Sequence, residues 1–323
     1  MAQSSPDNNN KTIDVTALGE LLVDFTQNGY SAAGNPIMEA NPGGAPCNVL
    51  AMLTKLGKKC AFIGKVGKDT FGDMLENTLK EVGIDTRGLK RDRRVHTTLA
   101  FVHTAPDGDR SFSFYRNPGA DANLEEKELD EDLIKSSRIF HFGSLSLTDE
   151  PCRSATVKAL QIAREAGCII SCDPNLRESL WPDLETAREQ IAKGIAACDI
   201  LKISDNEVIF MTGEEDLDRA AAILLEKYPN IKLMNLTAGG SGSIAFYGGS
   251  IVREAGVHVD KVIETTGAGD TFCGCVLNYI LEHGLEGLTE NNLHEMLKYA
   301  NRAASLIIQR KGALKVMPEK EEI

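Results

Sequence analysis

The sequence is short of positive charge and of long apolar runs. Its 323 residues carry 35 Lys and Arg against 47 Asp and Glu, a net charge of −12. A surface this acidic repels a phosphate backbone, so we expect no nucleic-acid partner. No window approaches 18 consecutive apolar residues, and the polar leader at 1–12 has no charged region followed by an apolar one. We therefore expect neither a membrane span nor secretion.

Several sequence motifs are also missing. The eight cysteines form no Cys-x-x-Cys pair, which is typical of reduced, packed thiols in a cytoplasmic protein. There is no Gly-x-x-x-x-Gly-Lys, and none of the six histidines has metal-site spacing. Gly240, Gly242 and Ala245 imitate a dinucleotide fingerprint, but a strand-like run follows them where that fingerprint needs a helix. A Walker loop and a dehydrogenase are thus both disfavoured.

Short apolar runs alternate with amphipathic ones, which predicts a single α/β domain over 13–323 with a parallel sheet covered on both faces. The predicted strands are 13–18, 60–66, 139–145, 168–173, 200–203 and 231–237. The predicted helices are 71–82, 151–166, 184–197, 217–227, 267–283 and 293–309.

Two segments, 27–38 and 97–116, interrupt this alternation. The first is rich in Gly, Asn and Pro, and the second has two alternating runs around Asp107 and Gly108, a strong hairpin signal. Both lack the apolar runs of the main sheet. They predict a small separate β-sheet that acts as a lid.

The run at 264–272 suggests a catalytic site. Gly267, Ala268 and Gly269 precede an apolar helix, so their backbone amides would point out of a helix N-terminus, which attracts anions. Asp270 in the same turn could accept a proton from a hydroxyl that attacks phosphorus. The alternative is an ordinary acidic helix cap, but a cap does not require three small residues.

With this motif the chain resembles the ribokinase-like, or PfkB, carbohydrate kinases over nearly its whole length, and within them the fructokinases. The segment 41–48 (Asn-Pro-Gly-Gly-Ala-Pro-Cys-Asn) is similar to the first family signature, and 19–24 to the fructokinase opening. The resemblance implies that Asp24, Gly43, Gly44 and Asn48 bind the sugar. Acceptor and donor groups of this kind suit a polyol, although a strand-end Asp and a helix-cap Asn are alternatives.

Further segments extend the resemblance. It implies that Arg177 in 173–177 and Arg116 at the end of the lid strand contact the sugar. It also implies a nucleotide loop and an adenine wall formed by Thr237, Gly239, Gly242, Asn301 and Gly312. Glu207 matches the glutamate that organises magnesium through water.

Two positions depart from the family pattern. Ser204 replaces the Asn of the motif that contains Glu207, a change that fructokinases tolerate. Glu264 stands where most members have an Asp that helps to bind a monovalent cation. Glu264 either still supplies an oxygen to potassium, or it points to solvent or pairs with Lys261.

The expected function is therefore ATP-dependent phosphorylation of fructose, with Mg²⁺ and, subject to Glu264, K⁺ as cofactors. The alternatives are a kinase for 2-keto-3-deoxygluconate, ribose or a nucleoside, and a regulatory protein without catalysis on the same fold. An intact Gly-Ala-Gly-Asp motif argues against the regulatory protein. A homodimer that pairs through the exposed lid edges is expected.

Overall fold

The computed structural model describes residues 11–104 and 110–323. Most of the polar leader and the turn at Asp107 and Gly108 lie outside the described residues. The strands are β1 (Ile13–Leu18), β2 (Leu22–Tyr30), β3 (Pro36–Gly43), β4 (Cys60–Gly67), β5 (Asp85–Asp92), β6 (Leu99–Thr104), β7 (Arg110–Tyr115), β8 (Ser137–Gly143), β9 (Ile169–Asp173), β10 (Ile200–Ser204), β11 (Leu233–Thr237), β12 (Ser243–Tyr247) and β13 (Ser250–Glu254).

The helices alternate with these strands along most of the chain. They are α1 (Ala45–Lys55), α2 (Thr70–Glu81), α3 (Glu131–Lys135), α4 (Cys152–Glu165), α5 (Leu184–Ala196), α6 (Asp205–Thr212), α7 (Leu217–Lys227), α8 (Ala268–His283) and α9 (Glu290–Ile307). Within the described ranges, no helix is both long and apolar enough to cross a membrane.

Nine strands form the large sheet, in the order β13-β12-β11-β10-β9-β8-β1-β4-β5. Neighbours pair in parallel except at the β12 and β13 end, where the pairing is antiparallel. One apolar core packs α1, α2, α8 and α9 on one face, and a second core packs α3 to α7 on the other. The predicted α/β sheet with helices on both faces is confirmed.

The lid is a separate four-stranded sheet in the order β3-β2-β6-β7. It begins at Leu22 and includes all of β3, so it is longer than the predicted segment 27–38. Asp24 and Phe114 lie on its inner face, towards a cavity. Phe25 and Phe101 stack on the outer face with ring centroids 5.0 Å apart.

Helix starts fall into two kinds. A side chain caps α2, α3, α5, α6, α7 and α9, for example Asp69 at α2, whose carboxylate accepts from the amide of Gly72. In contrast, α1, α4 and α8 have no side-chain cap at their N-cap residues, and among these α1 and α8 begin at Gly44 and Gly267. These two helices pack closely, because a Cβ on Gly274 of α8 would lie 2.8 Å from the Met52 Cβ of α1.

Candidate active site

A cavity of about 690 Å³ lies between the lid and the carboxyl ends of the central strands. This edge of an open parallel sheet is where ligands bind in α/β proteins. The cavity is lined by Glu20, Leu22, Asp24, Gly44, Ala45, Asn48, Phe114, Leu145, Asn175, Leu176, Arg177, Glu178, Lys202, Ser204, Asp205, Asn206, Glu207, Phe210, Thr237, Gly239, Thr265, Thr266, Gly267, Gly269 and Asp270.

The N-terminus of α8 opens into this cavity. Gly267 has a left-handed conformation with φ of 80°, and both Gly267 and Gly269 line the cavity. Ala268 is not part of the lining, and its amide donates to the carbonyl of Thr265 at 3.2 Å. Of the three residues predicted to face an anion, the structure brings Gly267 and Gly269 to the cavity.

Asp270 lies at the floor of the cavity and is buried. Burial raises the pKa of this carboxyl, while Asn48 and Lys202 oppose the rise. The Asn48 Nδ2 donates to Asp270 Oδ2 at 2.8 Å. A buried carboxylate with a raised pKa is a stronger base than one in water, so the position suits proton transfer.

The first turn of α1 supplies the other side of the cavity. Glu20, which follows β1, accepts from the Ala45 amide through Oε1 at 2.7 Å. Burial raises the pKa of Glu20 to about 7. Asn48 is buried one turn along, and no described residue hydrogen-bonds its Oδ1. An unpaired amide oxygen at a cavity wall is suited to accept from a ligand hydroxyl.

Asp24 reaches the cavity from the lid strand β2. A Cβ on Gly43, in the neighbouring strand β3, would lie 2.1 Å from its Oδ2, so glycine at this position leaves space for the carboxylate. Burial raises the pKa of Asp24 to about 7, and the charge of Arg177 opposes the rise. The charge of Arg177 also opposes the rise in the pKa of Asp270, and all three side chains line the same cavity.

Glu207 connects two segments of the wall. Its Oε1 accepts from the Leu176 amide and its Oε2 from the Ser204 amide, both at 2.8 Å. Burial raises its pKa, but Lys202 and these amides outweigh burial and leave the pKa below its usual value. Ser204 caps α6 through the Glu207 amide, so the replacement of Asn by Ser preserves the local turn.

Arg116 is buried outside the cavity lining, contrary to the expected sugar contact. Its Nε donates to Asp121 at 2.7 Å, its Nη1 to Thr148 at 2.6 Å and its Nη2 to the carbonyl of Leu145 at 2.9 Å. Asp121 is close in sequence, whereas Leu145 and Thr148 come from the segment after β8, which the local sequence does not reveal. Arg116 supports the cavity rim from behind Leu145.

On the nucleotide side, Thr237 and Gly239 line the cavity, whereas Gly242, Asn301 and Gly312 do not. Gly242, with φ of 104°, closes the turn between β11 and β12. Asn301 accepts from Ser243 at 2.9 Å and donates to the carbonyls of Glu254 and Ala255 at the end of β13. Gly242, Asn301 and Gly312 therefore lie behind the residues that line the nucleotide side of the cavity.

Glu264 is half-buried, and its Oε2 accepts from the Gly312 amide at 2.9 Å. This contact joins the loop before α8 to the loop after α9. A Cβ on Gly267 would lie 2.7 Å from the Cβ of Ala313, so the two loops also touch directly. Of the sequence alternatives for Glu264, the contact to Gly312 shows that its carboxylate is engaged with the loop after α9.

Four charged residues of the lining are not predicted from the sequence, namely Glu20, Glu178, Lys202 and Asp205. Glu20 lies in the segment 19–24, in which only Asp24 is a predicted sugar contact. Lys202 is a charged residue in an otherwise apolar strand, Ile200–Ser204, and a buried lysine is rare without a specific partner. That isolated charge was the available signal.

Comparisons with known proteins agree with this geometry. The sequence model of the pfkB carbohydrate kinase family matches residues 12–320. "Probable fructokinase-2" of Arabidopsis thaliana is 42% identical over 320 residues, which cover 98% of this chain and 95% of the relative.

Two solved structures share the whole architecture. A fructokinase from Xylella fastidiosa with bound ATP aligns with a TM-score of 0.87 and 29% identity over 96% of each chain. A fructokinase double mutant from Vibrio cholerae O395, in a fructose-, ADP- and potassium-bound form, aligns with a TM-score of 0.85 and 28% identity over 96% of this chain and 97% of that chain. The chain therefore belongs to the pfkB family of carbohydrate kinases.

Proposed function

We propose that this kinase transfers the γ-phosphoryl group of ATP to the 6-hydroxyl of fructose, with Asp270 as the general base. The observation that supports it most is a buried carboxylate at the uncapped N-terminus of α8, on the floor of the cavity. Asp270 takes the hydroxyl proton while the amides of Gly267 and Gly269 hold the phosphoryl oxygens. Asn48 keeps the Asp270 carboxylate in place through its amide.

Fructose is held from the lid and from α1. Asp24 and the Asn48 Oδ1 accept hydrogen bonds from sugar hydroxyls, and Arg177 donates. Gly43 and Gly44 matter because a side chain at either would collide, with Asp24 at Gly43 and with the Glu20 carbonyl at Gly44. The sugar itself is inferred from the fructokinase relatives.

ATP lies along Thr237 and Gly239 towards the N-terminus of α8. Magnesium supplies charge neutralisation at the phosphates when bound, and it keeps several waters. The buried Glu207 carboxylate fits this ion as a partner through water, since its lowered pKa keeps it ionised and both its oxygens hold backbone amides. The loop joined by Glu264 and Gly312 is the proposed position for potassium.

The lid closes over the sugar and pairs with a second copy of the chain. Tyr115 is 67% exposed beside the Phe25 and Phe101 stack on the outer face, so a partner there would bury aromatic surface. Tyr115→Glu should shift the molar mass measured by light scattering from dimer to monomer. A monomeric unmodified protein would contradict this pairing.

The eight buried free thiols suit a reducing compartment, and we propose the cytoplasm. A fluorescent fusion of the full chain found in another compartment would overturn this assignment.

The substrate is tested by ADP release across a panel of fructose, ribose, 2-keto-3-deoxygluconate and a nucleoside. Fructose should have the highest kcat/KM, because a pocket built for its hydroxyls leaves buried polar groups unpaired with other sugars. A higher kcat/KM for another sugar would reject fructose but keep the kinase. No ADP release with any sugar would reject catalysis.

A further inference from the structure

Lys202 is a charged residue in the middle of the large sheet. It belongs to β10, which lies between β9 and β11, and its side chain is 8% exposed. It lines the cavity together with Gly269 and Asp270. A lysine in this position loses hydration, so it needs either a counter-ion or a ligand.

Asp173 at the end of β9 is one counter-ion. The Lys202 Nζ lies 3.2 Å from Asp173 Oδ1 and 3.1 Å from Oδ2. Asp173 is buried and is not part of the cavity lining. Asp173 therefore holds the Lys202 ammonium on the side away from the cavity, and Lys202 lines the cavity on its other side.

Gly269 shows where the ammonium lies. A Cβ built on Gly269 would be only 2.9 Å from the Lys202 Nζ. Gly269 does not have a positive φ, so its backbone conformation does not require glycine. Glycine is required here because a side chain would occupy the space of the Lys202 ammonium. The ammonium thus touches the first turn of α8 beside Asp270.

The charges of the cavity also require a cation at this point. The described lining contains six carboxylates, on Glu20, Asp24, Glu178, Asp205, Glu207 and Asp270. Only Lys202 and Arg177 in that lining carry positive charge at neutral pH. Polyphosphate entering such a cavity meets repulsion unless a fixed cation offsets it.

We propose that Lys202 is a further catalytic residue, whose ammonium donates to an oxygen of the phosphoryl group as it moves from ATP to the sugar. This inference rests on the proposed kinase reaction. The bond from the γ-phosphorus to the ADP oxygen breaks, and ADP leaves with the electron pair. A bond forms to the sugar oxygen, and the hydroxyl proton goes to Asp270. Lys202 keeps its protons throughout and only stabilises the transferred charge.

The competing explanation is that Lys202 serves only as the counter-ion of Asp173. A buried pair of that kind can be replaced by two neutral side chains at little cost, whereas removal of one partner is costly. The double variant Lys202→Met with Asp173→Asn removes both charges together. It therefore separates a structural role from a catalytic one.

We expect this double variant to fold, by circular dichroism and melting temperature, with kcat lowered about 10²-fold and KM for fructose changed less than about threefold. We also expect fructose 6-phosphate to raise the melting temperature of the unmodified protein more than fructose does, and this difference should be lost in the double variant. A folded double variant with kcat within about threefold of the unmodified protein would overturn the proposal.

A matched control is the pair Lys65 and Asp92, whose charged atoms lie 3.0 Å apart with side chains 5% and 6% exposed. Neither residue lines the cavity. Lys65→Met with Asp92→Asn should leave kcat per folded molecule unchanged. An equal fall in kcat in this control would overturn the assignment to Lys202.

Should the Lys202 double variant not fold, Gly269→Ala provides the second test. It retains every charge and displaces the ammonium, so kcat should fall at least tenfold while the melting temperature changes little. Unchanged kcat in Gly269→Ala would contradict the proposal. If the unmodified protein itself releases no ADP, the proposed kinase reaction is wrong, independently of Lys202.

Discussion

The two helices that begin with glycine at the cavity, α1 and α8, leave their N-termini in different states. The first amide of α1, from Ala45, donates to the carboxylate of Glu20, which sits on another segment. Among the described residues, no side chain caps the N-terminus of α8, and Gly267 and Gly269 line the cavity. Because open amides attract anions, we expect the phosphate at α8 and the sugar at α1.

The largest expected effect comes from the base at the open helix. Asp270→Asn keeps the shape of the side chain and the contact to Asn48 but removes the proton acceptor. We expect kcat to fall about 10²-fold or more, with the fold retained in a thermal melt.

Asp73→Asn is the matched control, because Asp73 also lies in the first turn of a helix, α2, which a side chain caps. Its ADP release should equal that of the unmodified protein. If Asp270→Asn retains nearly the full kcat, Asp270 is not the general base.

A smaller effect is expected at the sugar side. Asp24→Asn should raise KM for fructose about tenfold, since a buried hydrogen bond to a charged acceptor is lost, while kcat changes less. Steady-state kinetics with varied fructose measure the split. If only kcat falls, Asp24 acts on the phosphoryl transfer rather than on sugar binding.

The same residue gives a pH test. The folded pKa of Asp24 is about 7 against an ordinary 3.8. Between these values the folded protein binds more protons than the unfolded chain, so stability without ligand falls as pH rises through this window. Asp24→Asn should reduce the fall in melting temperature from pH 5 to pH 8. An identical fall in both proteins would contradict a buried carboxylate.

Removing the carboxylate that binds the N-terminus of α1 should lower the stability of the protein. Glu20→Ala removes the acceptor of the Ala45 amide, and loss of such a helix-terminal contact costs about 1 kcal/mol. Asp69→Ala at the start of α2 should cost about the same in urea unfolding, without changing KM for fructose. If Glu20→Ala leaves both stability and KM unchanged, α1 is not closed by this carboxylate.

The smallest effect concerns the loop behind α8. If potassium binds near Glu264, replacing sodium by potassium should raise kcat a few-fold, and Glu264→Ala should abolish that response while basal activity persists. The measurement is ADP release at constant ionic strength. A rate that is indifferent to potassium would contradict the cation site and make Glu264 a structural residue of the loop, where it binds the Gly312 amide.

The sequence predicted the central strands and most helices because long apolar runs and helical periodicity are local signals. It did not predict β5, whose residues Asp85–Asp92 are largely polar at one edge of the sheet. It placed the start of a helix at Asn48, whereas α1 already begins at Ala45, because Gly44 and Pro46 look like a loop.

The same limit applies to the site. The glycine run before Asp270 was visible as a motif, and so was the polar pair of Asp24 and Asn48. The placement of Arg116 among Asp121, Thr148 and Leu145 depends on contacts made only after folding. The importance of Lys202 depends on Gly269, which is 67 positions away in the sequence.

The hydrogen bond between Asn48 and Asp270 joins residues that are 222 positions apart. During synthesis, the segments that hold sugar leave the ribosome long before α8 does. A chain made only as far as β9 lacks the proposed base, Asp270, and the N-terminus of α8, so we expect it to consume no ATP. Activity is expected only after α8 packs against α1 through Gly274 and Met52. If the chain is divided after β9 and the two halves are expressed separately, ADP release should therefore measure how far they reassemble.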